Sequence, residues 1–371
     1  MKKTIYSALA LCAVTTAAQA QTSVTIYGNI DPAVMTQSKS GATGAGGRDT
    51  AMVDGSIASS LYGFKGIEDL GGGLSAGFVL EGGFSSINGK HANPGVYQTQ
   101  LFGREAKITL GGDWGTIGAG LQLDPGLIAS ISTEPRQDTP SFSNLDFWIH
   151  ATLGNNYSGG GSLQGGIYDD NALTYTYAKN GLYVGAEYGF GGVAGSTSAN
   201  STQSIGISYA NGGFTVSGSY VQDKNINPAV DSYSSQISVF GLGYTFSTVA
   251  VRVQYGDFKT NPALYTQVAD DIQSWGIGID WKTSVPNKVN LSYYDAKDAG
   301  ASFGGKTTEI ALLDTYSLSK HTFVFAQVAD LNVGPNAGLS AGLGGFYVPN
   351  GAYASGNTST LYFGLGVNHT F

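Results

Sequence analysis

The chain has 371 residues, including 56 glycines, 22 tyrosines and 17 phenylalanines. Only 12% of its residues are charged, about half the roughly 25% of an ordinary soluble domain, and the aromatic content excludes a disordered chain. The glycines follow no period of three, which excludes collagen, and after residue 20 no apolar run approaches the roughly 18 residues of a spanning helix.

The first 20 residues read as a cleaved export signal. Lys2 and Lys3 form a positive start, Ile5 to Val14 an apolar core, and Ala18-Gln19-Ala20 a small-x-small cleavage site, so Gln21 is the expected mature N-terminus. The apolar core is too short for an anchoring helix. The only cysteine, Cys12, lies inside this signal and lacks the sequence context of a lipoprotein. The mature chain therefore offers no disulfide, thiol nucleophile or thiolate metal site. Loss of the signal lowers Lys+Arg from 18 to 16 against 26 Asp+Glu, so the net charge moves from −8 to −10. Nucleic acid is not expected as a partner, since it calls for a basic footprint.

From residue 23 onward, segments of about 9 to 12 residues alternate apolar with small or polar side chains, the length of a tilted strand that crosses a bilayer. In Val249–Asp257, Val249, Val251, Val253 and Tyr255 share one face, while Ala250, Arg252, Gln254 and Gly256 share the other. The last segment puts Leu361, Phe363, Leu365, Val367 and Phe371 on one side and Gly364, Gly366, Asn368 and Thr370 on the other. Such alternation also suits a soluble sandwich. The connectors argue against it.

Short connectors are read at 69–73, 112–115, 179–181, 211–213, 247–248, 283–287 and 319–320. Long ones are read at 38–56, 85–98, 123–170, 191–201, 224–233, 261–271, 298–305 and 332–358. This rhythm predicts an all-β fold: a 16-stranded antiparallel transmembrane β-barrel with turns on the periplasmic side and loops outside. Sixteen strands enclose a water-filled lumen, and closure is obligatory because a free sheet edge in lipid cannot be hydrated. The mature chain, 21–371, is read as one barrel without a domain boundary. Tyr and Phe near the strand ends, such as Tyr175, Tyr244, Phe246 and Tyr293, suit the membrane interface.

Four segments carry a resemblance. Ser23–Gln37 (SVTIYGNIDPAVMTQ), Tyr62–Phe84 (YGFKGIEDLGGGLSAGFVLEGGF) and Leu101–Gln122 (LFGREAKITLGGDWGTIGAGLQ) look like the first strand and the next two hairpins of trimeric Gram-negative general diffusion porins. Leu318–Thr322 (LSKHT) and Gly364–Phe371 (GLGVNHTF) resemble that family's last turn and terminal strand.

The resemblance implies a homotrimer in the bacterial outer membrane, passing small solutes and ions without a cofactor. Phe371 would supply the signal read by the barrel-assembly machinery. It also implies a third external loop, 123–170, folded inward as the constriction. Asp124, Glu134, Asp138 and Asp146 would form the acidic side of that constriction, opposite basic residues on the wall. The aligned wall positions hold Asn29, Leu61, Arg104 and Leu121, and Tyr168 stands where Arg is frequent. Only Arg104 is basic, with Lys65 and Arg252 adding charge. Arg104 facing inward would place Glu105 and Lys107 outward. The thinned basic ladder and the mature charge lead to the expectation of a pore that prefers cations or neutral solutes.

Other chemistry finds little support. His91, His150, His321 and His369 show no metal-site spacing, and there is no GxSxG elbow for a lipase. GATGAGG at 41–47 lacks the Lys-Ser/Thr of a phosphate loop. Asp169-Asp170 and Asp270-Asp271 could offer oxygens to Ca²⁺, although solvated loop-edge charges are the plainer reading. The competing functional class is a surface adhesin barrel with little transport.

Overall fold

The computed structural model describes residues 23–40, 47–91, 100–137, 139–153, 167–227, 230–261, 270–283, 286–300, 304–335 and 358–371. The expected export signal and Asp138 lie outside the described residues.

Eighteen β-segments form one antiparallel sheet that closes on itself. The first two staves are each broken once. β1 (Ser23–Ile30) and β2 (Pro32–Gln37) are one stave interrupted at Asp31, and β3 (Asp49–Asp54) and β4 (Leu61–Gly71) form the next. Each of the other fourteen segments is a stave, so the barrel has the expected sixteen: β5 (Leu74–Gly83), β6 (Glu105–Gly112), β7 (Gly115–Leu123), β8 (Tyr168–Lys179), β9 (Leu182–Gly189), β10 (Thr202–Asn211), β11 (Phe214–Asn227), β12 (Val230–Phe246), β13 (Val249–Asn261), β14 (Asp270–Lys282), β15 (Asn287–Asp298), β16 (Lys306–Ser317), β17 (Thr322–Val333) and β18 (Thr358–Thr370).

The breaks face each other and share one buried polar junction. The Asp31 carboxylate accepts from the Ile57 and Ala58 amides at 2.9 and 3.1 Å, and Asn368 donates to it from β18. These bonds replace the ladder bonds that the interruption removes. Closure is made by β18 against β1 and β2, and the Phe371 and Gly28 main chains exchange two hydrogen bonds of 3.1 Å.

The short turns fall where the sequence places them. Two are two-residue hairpin turns with positive φ at both central positions: Asn180-Gly181 (52° and 81°) and Gly212-Gly213 (58° and 89°), which matches the right-handed twist of the strands. Two of the expected long connectors are shorter. The ladder of β11 and β12 continues to Asn227↔Val230, and β3 starts at Asp49. Polar, alternating residues there extend the strands past the membrane, and the apolar pattern used to place the strand ends stops earlier.

The outer surface is a belt of exposed apolar side chains, among them Ile26 (65% exposed), Ile108 (64%) and Phe240 (55%). Water would not leave such a belt uncovered, so the soluble-sandwich alternative falls. Tyr255 packs on Trp275 at 4.7 Å toward the loop end, and Tyr244 stacks with Phe246 toward the turn end. Both ends of the belt thus carry aromatic rings.

Candidate functional site: the loop-narrowed lumen

The long connection between β7 and β8 enters the barrel. Asp124 caps helix α1 (Pro125–Ile131), accepting from the Leu127 amide at 2.9 Å. Pro125 follows, its missing N–H costing nothing in a first turn. α1 lies on β9, β10 and β11, and helix α2 (Leu145–Leu153) on β12 and β13.

The wall makes room for this loop with small inward residues. A Cβ on Gly206 would come to 2.4 Å from the Pro125 carbonyl oxygen, and one on Gly278 to 2.2 Å from that of Pro135. Side-chain amides of the wall then hold the loop backbone. Gln254 donates to Ser130 O at 3.0 Å, and Asn290 to Pro135 O at 2.9 Å. Asn144 joins Gln254 and Ser274, and Lys288 donates to Gln137 at 2.5 Å.

Apolar packing adds to these bonds. Phe142, Leu145, Phe147, Trp148 and Ile149 form one buried cluster with Ile237, Val239, Phe258, Ile272, Leu313, Leu331 and Val333 of the wall. Phe147 meets Phe258 at 5.7 Å and Phe142 meets Tyr362 at 5.1 Å. Burying each large side chain contributes about 1.5–3 kcal/mol. The loop is therefore a built part of the β11–β18 side, which leaves the β4–β7 side of the lumen to water.

On that open side, Tyr27, Lys65, Glu81, Glu105 and Lys107 share the inward face, following the register Lys65↔Val79↔Lys107 and Gly63↔Glu81↔Glu105. Arg104 reaches the same face and bonds Glu81 at 2.6 Å, with its guanidinium 5.0 Å above the Tyr168 ring. Arg104 lies just before β6, and its amide bonds the Glu81 carbonyl, so Arg104 and Glu105 break the alternation together. The expected outward placement of Glu105 and Lys107 is thus corrected. They face in and pair with each other at 2.6 Å. Lys65 lies over the Tyr27 ring at 4.9 Å.

A second basic group, Arg252, Lys282 and Lys288, surrounds Asp280 across the barrel on β13–β15. Arg252 is ion-paired with Asp280, and Lys288 reaches it at 3.3 Å. Of these only Arg252 was singled out from the sequence. Lys282 and Lys288 flank a turn, where charge is ordinary and carries no signal.

Several expected site residues take other places. Leu121 stands opposite Ala106, which alternates with the inward Glu105 and Lys107, so Leu121 belongs to the outer face. Strict alternation along β7 sets Leu121 on the same outer face as Ile117 and Ala119, and the register shift beyond Gly120 leaves its extra residue on β8. Asn29 is 8% exposed and donates to the Ala58 and Ser59 carbonyls, holding the strand break. Leu61 lies opposite Asn29 on the inward register, half-buried. Tyr168 is buried as the platform under Arg104.

The described acids of the loop, Asp124, Glu134 and Asp146, are no more than 1% exposed. Glu134 accepts from the Arg136 and Asn144 amides and from the Tyr294 hydroxyl. Burial pushes the Asp124 carboxyl up to about 6, against the Leu127 and Ser204 hydrogen bonds that favour its charged form. Asp169, read as a solvated loop-edge charge, is 4% exposed.

Comparison with known proteins agrees with this architecture. Residues 7–336 match the family described as Gram-negative porin. An outer membrane porin protein of Bordetella pertussis is 32% identical over 281 residues, 69% of each chain. Outer membrane porin protein 32 of Delftia acidovorans is 28% identical over the full length of both chains. The anion-selective porin from Comamonas acidovorans superposes with a TM-score of 0.77 at 23% identity, covering 94% of this chain and 100% of that one. A closed barrel with an apolar belt and a loop folded into a charged lumen, matched over most of its length, belongs to the Gram-negative porin family of outer-membrane channels.

Proposed function

We propose that the protein is a passive diffusion channel for small hydrophilic solutes and ions that favours anions, working as a homotrimer. One observation carries the ion preference: the wall cations face the lumen, while Asp124, Glu134 and Asp146 of the constriction loop are buried. Among the described residues, Lys65, Arg104, Lys107, Arg252, Lys282 and Lys288 stand around the carboxylates of Glu81, Glu105 and Asp280. Asp124, Glu134 and Asp146 are buried against the barrel wall, where a charge is neutralised or balanced and acts weakly on a passing ion. The expected preference for cations or neutral solutes rested on the thinned basic ladder and the mature charge, and neither counted the inward-facing Lys107, Lys282 and Lys288, so it is replaced. The printed description of the Comamonas acidovorans porin as anion-selective agrees with this reading.

Phe371 ends the closing strand with its side chain 52% exposed, a position that suits recognition by the assembly machinery. The lumen left open beside the loop favours transport over the adhesin alternative.

Reversal potentials in planar bilayers under a salt gradient test the reading. Chloride preference is expected at about 0.1 M salt, weakening toward 1 M as the Debye length falls from about 10 to 3 Å. Potassium preference at low salt would overturn it. Three equal conductance steps per insertion are expected of the trimer.

A further inference from the structure

The root of the constriction loop holds a group of carboxylates for which the channel has no use. Asp124 stands where the chain leaves β7, and Asp169 where it returns in β8, opposite Gln122. Glu187 projects from β9 beside them, in register with Thr174 and Ser204. Their exposures are 1%, 4% and 6%. Each offers an oxygen within 4.8 Å of the others. Among the described residues no Lys, Arg or His forms an ion pair with any of the three.

A second observation points to a ligand. Neither carboxylate oxygen of Glu187 has a hydrogen-bond donor, although the side chain is buried, and what it faces is the Asp169 carboxylate, another acceptor. Asp223 of β11 adds a fourth buried carboxylate whose Oδ1 is likewise without a donor. Water does not reach these groups to offset their repulsion, and burying uncompensated carboxylates is costly. A hard divalent cation supplies what the protein does not. Calcium takes oxygen ligands at about 2.4 Å, so opposing ligands stand about 4.8 Å apart, and it accepts irregular carboxylate geometry. Magnesium demands a smaller, near-octahedral shell. The Ser204 hydroxyl, bonded to Asp124 at 2.8 Å, orients that carboxylate from outside.

We propose that Asp124, Asp169 and Glu187 bind one Ca²⁺ per chain, tying the two ends of the constriction loop to each other and to the barrel wall. The ion would act on the loop's position and leave the water-facing charges unchanged.

The test uses the folded barrel in detergent, stripped with EGTA and titrated calorimetrically with Ca²⁺, and separately with Mg²⁺. The wild type and Asp113→Asn, a change in an exposed periplasmic turn, are expected to take up one Ca²⁺ per chain and unfold at higher temperature with it. Glu187→Gln should lose about tenfold or more in affinity together with the thermal shift. Absence of saturable Ca²⁺ uptake by the wild type would overturn the proposal without need of any variant. So would uptake that Glu187→Gln leaves unchanged, which is what cations held by bound lipopolysaccharide would give. A Glu187→Gln barrel that is more stable in EGTA, with a wild type indifferent to Ca²⁺, would assign the site to a proton shared between Asp169 and Glu187 and equally overturn it.

Discussion

The two sides of this barrel solve the inner face differently. On β4–β7 the inward positions carry Lys65, Glu81, Glu105 and Lys107, and water fills the space beyond them. On β12–β17 the inward positions carry Ile237, Val239, Phe258, Ile272, Leu313 and Leu331, and the constriction loop covers them. The outer faces are apolar on both sides, since both meet lipid. Strands buried on both faces lose the clean alternation of polar and apolar residues. The inner face of a barrel strand thus reports what covers it, and the loop sets the lumen off to one side.

The comparison can be broken most forcefully at the loop core. Phe147→Ala should cost about 3–5 kcal/mol of loop docking, opening 123–170 to protease while the barrel stays closed. Val79→Ala, a smaller apolar deletion on the open side, should leave the loop protected. Equal protection in both variants would mean that packing does not hold the loop. Next in size, Gly278→Val should displace the loop at Pro135 at a cost of about 1–3 kcal/mol. Gly111→Val, whose Cβ would meet the Ser75 and Thr116 hydroxyls at 3.1 and 3.2 Å and no loop atom nearby, should not. Single-channel current noise would separate the two.

Smaller effects test the open side. A unit charge about 7 Å from an ion in water is worth about 0.6 kcal/mol. Arg104→Gln should therefore reduce the chloride-to-potassium permeability ratio about sevenfold, since the change acts with opposite sign on the two ions and leaves the Glu81 carboxylate unpaired. The smallest contrast sharpens the register. Val79→Arg, between Lys65 and Lys107, should raise chloride preference, and Leu121→Arg should leave it unchanged. A selectivity change in the Leu121 variant would place that side chain in the lumen.

Much of the fold was legible in the sequence because the bilayer imposes a strict rule on the outer face. Val249–Asp257 and Leu361–Phe371 show their lipid side in one glance, and Asn180-Gly181 and Gly212-Gly213 mark their turns by backbone chemistry alone. The site was less legible. Asn29 was read as a pore residue but holds a strand break, and Leu121 was read as inward from the family resemblance, although its register opposite Ala106 puts it on the outer face. The acids of the loop were read as facing water, since nothing local distinguishes a buried carboxylate from an exposed one.

By itself the sequence determined the number of staves, their order and the apolar outer face, because these follow from period, length and turn residues along the chain; that the longest loop enters the barrel came from the family resemblance. Only the tertiary structure decided which charges meet water. Whether Asp124, Asp169 and Glu187 converge, and whether Arg104 and Glu105 both turn inward, depends on contacts between segments up to tens of residues apart and on bulges that shift the register. Burial then sets how strongly each charge acts, and burial is a property of the closed barrel with its loop in place.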